Sequence, residues 1–392
     1  MKLPNREVAT KPLSAETLNE SASIALYVVV SIALAWLAYS FGGMDFNFYY
    51  AAARVTLEGG NPYDYQQLAP YIVSSSGSLN NPYYYAPWFT WCVIPFTFFP
   101  YDIARILWMV THFILWVYSL FNLSKLVEYP PEGWAKWGMW LLATFVFAWS
   151  TWGAEQVGIM ILFLFTLILL YSRRENWTLV GILLALILFK PNITAIPVAF
   201  IALWILLRNR TWKHVGVMTA VIAISLAVAL LIDPTFYLPL FDADKLQGLS
   251  FTLNSSGEPE IKRYTTTLQD FLAAYGIESN GLVGVYVTAI LLGLAAIAFG
   301  LHASASLIEF SALVILVNFA IIPYALFYDY PLLTLPLFYG NHLLFDQKGI
   351  RYAANLLVVM SLFIGGIIPY RYWITIILAI LLVVGYIHQR RR

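Results

Sequence analysis

The chain has 392 residues, 60% of them hydrophobic and 11% charged, with a formal charge of +1, five histidines and a single cysteine. A mean hydropathy of +0.73 excludes a water-soluble fold. The near-neutral charge lacks the basic footprint of a nucleic-acid binder, and Cys92, alone, forms no internal disulfide and reads as a packing residue.

The first apolar segment, residues 24–41, follows a tail carrying Lys2, Arg6 and Lys11, and its length suits an uncleaved first span better than a cleaved signal peptide. Next comes GGMDFNFYYAAARVTLEGGNPYD, residues 42–64. Phe46, Tyr50, Ala53 and Leu57 recur at helical spacing and Gly59-Gly60 supplies a stop, which predicts a short amphipathic helix on the external surface with Asp45 at its N-cap. Capping alone, worth about 1 kcal/mol, explains that aspartate without any chemistry. The loop continues through NPYDYQQLAPY and NNPYYYAPW. Rings, amides and prolines mixed at this density suit a polyhydroxylated ligand, and an interfacial aromatic belt is the plainer alternative.

Further apolar segments follow at 86–100, 104–122, 136–152, 157–171, 177–190, 193–207, 214–232, 282–301, 307–325, 331–344, 353–368 and 371–388. Runs of this length fit helices crossing a hydrocarbon core about 30 Å thick. Basic residues in the N-terminal tail, at Arg173-Arg174, at Arg208, Arg210 and Lys213, at Lys348 and Arg351, and at Arg390 to Arg392 mark the cytoplasmic side. Thirteen crossings would put the termini on opposite sides, so one segment does not cross. APWFTWCVIPFTFFP, residues 86–100, is short and holds Pro87, Pro95 and Pro100, so it is expected to lie along or dip into the outer face; 136–152 is the alternative. The expectation is a single all-α membrane domain over 1–392 with about twelve spans, both termini cytoplasmic, and external loops at 42–103 and 233–281.

FDADK, residues 241–245, has the Asp242 and Asp244 spacing of a metal-dependent nucleotide-sugar site, but no strand-helix nucleotide domain surrounds it. The histidines lack ligand spacing for zinc, and His112 reads as a polar contact between helices. A transporter or flippase, the competing class, would carry charges at span centres and matching interrupted helices in two halves, and the sequence has neither pattern.

From about residue 43 to 338, the order of Asp45, the YYAAA helix, GGNPYD, YYYAPWFTWCVIPF, GAEQVGIMILF, GILLALILFKPN and ALFYDYPLLTLP resembles the polyprenyl-phosphate-dependent glycosyltransferases of family 87, which include phosphatidylinositol mannoside mannosyltransferases. The chain departs from that pattern at Tyr85-Ala86-Pro87, where relatives often have Tyr-Pro-Pro, and at Gly153-Ala154-Glu155-Gln156, where they have Gly-Gln. The resemblance implies a GT-C membrane fold at the plasma membrane. It implies an extracytoplasmic site and inverting transfer of a sugar, mannose being the best guess, from a polyprenyl-phosphate donor to a hydroxyl of a glycolipid or glycan, without cofactor or metal. Asp45 is then the catalytic base, and Lys190, Lys262 and Arg263 are the cations for the donor phosphate. Tyr49, Tyr50, Tyr85, Gln156 and Asp329 are the candidate substrate contacts, with Glu155 beside Gln156 on an outer turn. For Lys190 the plainer alternative is snorkelling at a helix end, and for Lys262 and Arg263 a solvated pair.

Overall fold

The computed structural model describes residues 45–72, 83–128, 144–238 except 146, 280–322, 325–364 except 345, and 372–390, with isolated positions in 25–40 and 267–272. Among the described residues the protein is helical, with no β-strand. The expected first span at 24–41 and most of the expected loop at 233–281 fall outside them.

Helix α1, Asp45–Leu57, ends as the sequence implies. Gly59 adopts φ 76°, the left-handed conformation that glycine enters without a Cβ penalty. Gly60 N–H then reaches Val55 O at 2.9 Å and Gly59 N–H reaches Thr56 O at 3.1 Å, the pair of bonds of a Schellman stop. The expected surface position of α1 is corrected. Ala51, Ala52 and Ala53 are fully buried while Leu57, assigned to the apolar face, is exposed. Three small side chains in a row let neighbouring backbone approach, and the helix is enclosed by protein.

The enclosing segment is 86–100. It forms α2, Pro87–Val93, followed by a 3-10 helix at Ile94–Phe98. Seven α-helical residues rise only about 10 Å, too little to cross the bilayer. Pro87 sits in the first turn of α2 and Pro95 in that of the 3-10 helix, where the missing N–H is harmless. Pro100 then precedes α3, Tyr101–Leu126.

The bundle continues with α4, Gly158–Arg173, α5, Trp177–Ile187, α6, Pro191–Asn209, and α7, Lys213–Ile232. Beyond the second loop come α8, Asn280–Ala303, and α9, Leu307–Ile321. A 3-10 helix at Phe327–Leu333 leads into α10, Thr334–Leu343, then α11, Lys348–Ile364, and α12, Trp373–Arg390. Five of the described helices are long and apolar enough to cross a membrane: α3, α6, α7, the Val283–Ala303 part of α8, and α12. Shorter apolar helices α4, α5 and α9 pack among them. The expected single span at 177–190 stops early, at Ile187. Pro191 disfavours helical backbone at the residue before it, so Lys190 sits at a break between α5 and α6 and not at a snorkelling helix end.

Helix α4 runs from Gly158 to Arg173, about 22 Å at the helical rise. At its far end the Arg173 guanidinium donates to Leu126 O, and Arg208 donates to the carbonyls of Leu301, His302 and Ser304 at 2.8 to 3.3 Å. At its near end the segment that precedes α4 is stitched to the 3-10 helix at Phe327–Leu333. Thr151 Oγ1 donates to Tyr328 O at 2.7 Å and Ser150 Oγ to Phe327 O at 3.1 Å. Gly158 makes this approach possible, because a Cβ there would stand 2.2 Å from Tyr328 O.

Gly158→Ala should therefore lower the melting temperature of the purified protein, by about 1–3 kcal/mol of stability as for other overpacked sites. Gly153→Ala, whose Cβ would meet nothing within 4 Å, is the matched control. Equal melting of the two variants would refute the packing role of Gly158.

Candidate active site

The near end of the bundle gathers residues from five separated segments. Glu155 takes left-handed backbone, φ 55°, and reverses the chain after residues 147–154. Its N–H reaches Trp152 O at 3.1 Å, and Gln156 N–H reaches Thr151 O at 2.9 Å. The turn aims the Gln156 side chain at the start of α1, where its Nε2 donates to Asp45 Oδ2 at 2.6 Å. Its Oε1 accepts from Tyr85 OH at 3.0 Å and from Lys190 Nζ at 3.4 Å. Lys190 Nζ also donates to Asp329 Oδ1 at 2.6 Å and lies 4.8 Å from the centre of the Tyr328 ring. Asp329 Oδ2 accepts from Leu326 N–H at 3.1 Å, which fixes the carboxylate at the start of its own 3-10 helix.

Tyr85 is held by Ala86 N–H donating to Phe189 O at 3.2 Å and by Tyr63 OH donating to Tyr85 O at 2.7 Å. Its hydroxyl lies 2.8 Å from that of Tyr49. Tyr85 has one hydroxyl hydrogen and directs it at Gln156, so Tyr49 is the donor in that pair. Burial keeps both phenols protonated by pushing them well above the usual tyrosine range, and the Asp45 charge adds to the effect.

Asp45 itself is half-buried. Burial pushes its carboxyl up to about 6, against the lowering influence first of the Gln156 hydrogen bond and then of the Lys190 charge, while the Asp329 charge raises it. Lys190 and Asp329 are 7% and 1% exposed, so the pair is sealed inside the protein.

The structure thus joins Asp45, Gln156, Tyr85, Tyr49, Lys190 and Asp329 in one hydrogen-bonded chain. Tyr50 is not part of it. One residue beyond Tyr49 is a turn of 100° on a helix, and Tyr50 OH donates instead to Phe99 O at 2.9 Å. It borders an open hollow with Arg54, Tyr71, Phe98 and Phe99. Lys262, Arg263 and the FDADK segment lie outside the described residues. Asp45 lines none of the three cavities described, which lie beside α7, at the Tyr50 hollow and between α8 and α12.

One participant escaped the sequence reading. Arg105, one turn into α3, donates through Nε to Glu155 Oε1, and Trp108 Nε1 donates to Glu155 O at 3.1 Å. Tyr101, Arg105 and Trp108 share one face of α3, and the two rings clasp Phe46, with centroid separations of 6.0 and 5.1 Å. The residue after Asp45 is thereby anchored to α3.

A helical membrane protein with a carboxylate at the mouth of a buried polar network is the class these features define. The model of glycosyltransferase family 87 matches residues 83–327, more than half of the chain, and the chain belongs to that family. The matched stretch includes Tyr85, Arg105, Gln156 and Lys190; Asp45 precedes it and Asp329 follows it. No curated protein and no solved structure matches the chain.

The raised Asp45 carboxyl has a thermodynamic consequence. A group whose folded pKa lies above its unfolded value favours the folded state when protonated, so ionising it costs stability as pH rises from about 4 to about 6. Asp45→Asn removes that cost. Its stability relative to the unsubstituted protein should grow between pH 4 and pH 7 by on the order of 1–3 kcal/mol and then level off, as read from melting curves over that range. A difference independent of pH would contradict the shift.

Proposed function

We propose that the protein is a GT-C-type enzyme that transfers a sugar, with mannose the best guess, from a polyprenyl-phosphate donor to a hydroxyl of a glycolipid or glycan. The reading carries one observation above all: the half-buried Asp45 carboxylate is gripped at Oδ2 by an amide whose own orientation is fixed from behind. Among the described residues only Oδ2 is engaged, leaving Oδ1 to meet an acceptor.

In this mechanism the acceptor oxygen attacks the anomeric carbon as Asp45 removes its proton. The bond from that carbon to the phosphate oxygen breaks, and the polyprenyl phosphate leaves from the opposite face, so the configuration inverts. Base assistance of this kind contributes about 100- to 10,000-fold. A carboxyl at about 6 is still mostly ionised at neutral pH, yet is a stronger base than an ordinary aspartate. Gln156 and, through it, Lys190 orient Asp45; Tyr49, Tyr85 and Asp329 complete that frame. Tyr50 would contact substrate only from its separate hollow. Lys262 and Arg263 stay as cations proposed for the donor phosphate.

About twelve spans, cytoplasmic termini, a plasma-membrane location and an extracytoplasmic site belong to the same proposal. What supports the sidedness is that Arg173 and Arg208 sit at the end of the bundle opposite Asp45, as positively charged cytoplasmic ends would. A lipid-linked donor is coherent with a site on the other side, where nucleotide sugars are scarce.

The test supplies purified protein with labelled polyprenyl-phosphate mannose and glycolipid acceptors across pH. Because the ionised carboxylate is the active form, turnover should rise with pH and reach half its plateau near 6. Asp45→Asn should lose about 100-fold or more. Gln156→Leu removes a hydrogen bond that favours the anion, so its midpoint should move to higher pH along with a loss of turnover. Full turnover by Asp45→Asn would refute the base, and lipid flipping in liposomes without sugar transfer would favour the flippase.

A further inference from the structure

Two ion pairs flank Asp45, and they differ in kind. Lys190 and Asp329 satisfy each other completely: the ammonium has a carboxylate, an amide oxygen and a ring, and the carboxylate has the ammonium and a backbone N–H. An incoming phosphate would have to strand a buried aspartate to reach Lys190. Arg105 and Glu155 are otherwise. The Arg105 side chain is 18% exposed and that of Glu155 0%. Glu155 Oε2 is buried without a hydrogen-bond partner among the described residues. The Glu155 backbone is independently pinned by Trp108 Nε1 and held in left-handed conformation, so the carboxylate can change partner while the turn that aims Gln156 stays put.

We propose that Arg105 is the phosphate-binding group of this site: the phosphate of a lipid-linked donor displaces Glu155 from the guanidinium and takes its place. This rests on the donor class given under Proposed function. A guanidinium presents a planar fork of donors that matches phosphate oxygens better than an ammonium does. Position agrees. Arg105 lies on the α3 face whose rings clasp Phe46, next to Asp45, and its partner Glu155 adjoins Gln156, which touches Asp45. The outer stripe of α3, with Ile103, Ile106, Val110 and Ile114 exposed, faces away from the bundle, so α3 stands at the perimeter where a lipid can enter sideways.

Charge balance favours the exchange. With both pairs intact and no phosphate bound, the five charged side chains Asp45, Lys190, Asp329, Arg105 and Glu155 reduce to the single negative charge of Asp45, and an anionic donor meets no uncommitted cation among them. Burial already pushes the Glu155 carboxyl above its ordinary range, with Arg105 holding it down and Asp45 adding to the rise. Loss of Arg105 as a partner removes the influence that holds the Glu155 carboxyl down, so the exchange itself favours its neutral form.

The experiment titrates a short-chain polyprenyl phosphate, the polyprenol of equal length, and inorganic phosphate into the purified full chain in nanodiscs, reading bound ligand by native mass spectrometry. Sugar transfer is not needed for the readout. The unsubstituted protein should hold the polyprenyl phosphate in preference to the polyprenol. Arg105→Gln should lose about tenfold or more of that preference. Glu155→Gln, isosteric but without the competing charge, should bind the phosphate several-fold more tightly, a sign that a merely structural ion pair would not give. Wild-type affinity in Arg105→Gln, or weaker binding in Glu155→Gln, would overturn the assignment. Competition by inorganic phosphate at equal concentration would overturn the lipid-linked source. If the unsubstituted protein binds no polyprenyl phosphate at all, the donor class itself falls.

Discussion

A lysine ammonium can only donate hydrogen bonds, and from that limitation the geometry of the site follows. Lys190 Nζ faces Gln156, so the atom it faces must be the amide oxygen, and the amide nitrogen is turned toward Asp45. Tyr85 reinforces the same orientation through its hydroxyl. An amide held this way presents a donor to the carboxylate and favours its ionised form without placing a second full charge against it. Lys190 can occupy so dry a position only because Asp329 neutralises it, and Asp329 in turn is satisfied by Leu326 N–H. A buried pair of this sort adds little to stability against an apolar alternative. Its contribution here is orientation.

Such an arrangement demands a scaffold that does not yield, because its members come from α1, the turn before α4, the break between α5 and α6, and the 3-10 helix before α10. The scaffold is tied together by donors that reach backbone carbonyls of neighbouring segments. Thr151 and Ser150 take those of Tyr328 and Phe327, Trp88 Nε1 takes that of Leu186 at 3.0 Å, and Ala86 N–H takes that of Phe189. Each bond ties a segment bearing a site residue to its neighbour. Ring packing completes the frame: Phe46 lies between Tyr101 and Trp108, and Tyr49 meets Tyr85 and Phe89 edge to face at about 5 Å.

Much of this was legible in the residues. Apolar runs located most of the helices, Gly59-Gly60 marked the end of α1, and three prolines separated 86–100 from the crossing segments. The resemblance singled out Asp45, Gln156, Tyr85, Tyr49, Lys190 and Asp329, which the fold brings together. Other features had no local signature. Lys190 and Asp329 are 139 positions apart, so no periodicity connects them. The enclosure of α1 depends on alanines, which are neutral to a reading of apolar stripes and informative only once the partner surface is known. Arg105 stands near the start of a long apolar helix, where a charged residue looks like an ordinary boundary. Tyr50 differs from Tyr49 by one position and a different face, a distinction that aromatic density conceals.

Placing two ion pairs beside the Asp45 carboxylate resolves a conflict in the proposed reaction. The proposed base must remain ionised, which favours nearby positive charge; the proposed donor would arrive as an anion and depart more negative, which favours positive charge at a different point. A single mobile cation would serve one demand at the expense of the other. Here the sealed Lys190–Asp329 pair acts on Asp45 at one remove, through a neutral amide, and so cannot be drawn away by a phosphate. In the proposed exchange the Arg105–Glu155 pair, in which Glu155 Oε2 has no hydrogen-bond partner among the described residues, is the one whose partner is replaced. Asymmetry between the pairs, more than the presence of charge, is what would allow one small site to hold the proposed base and accept the proposed anionic donor together.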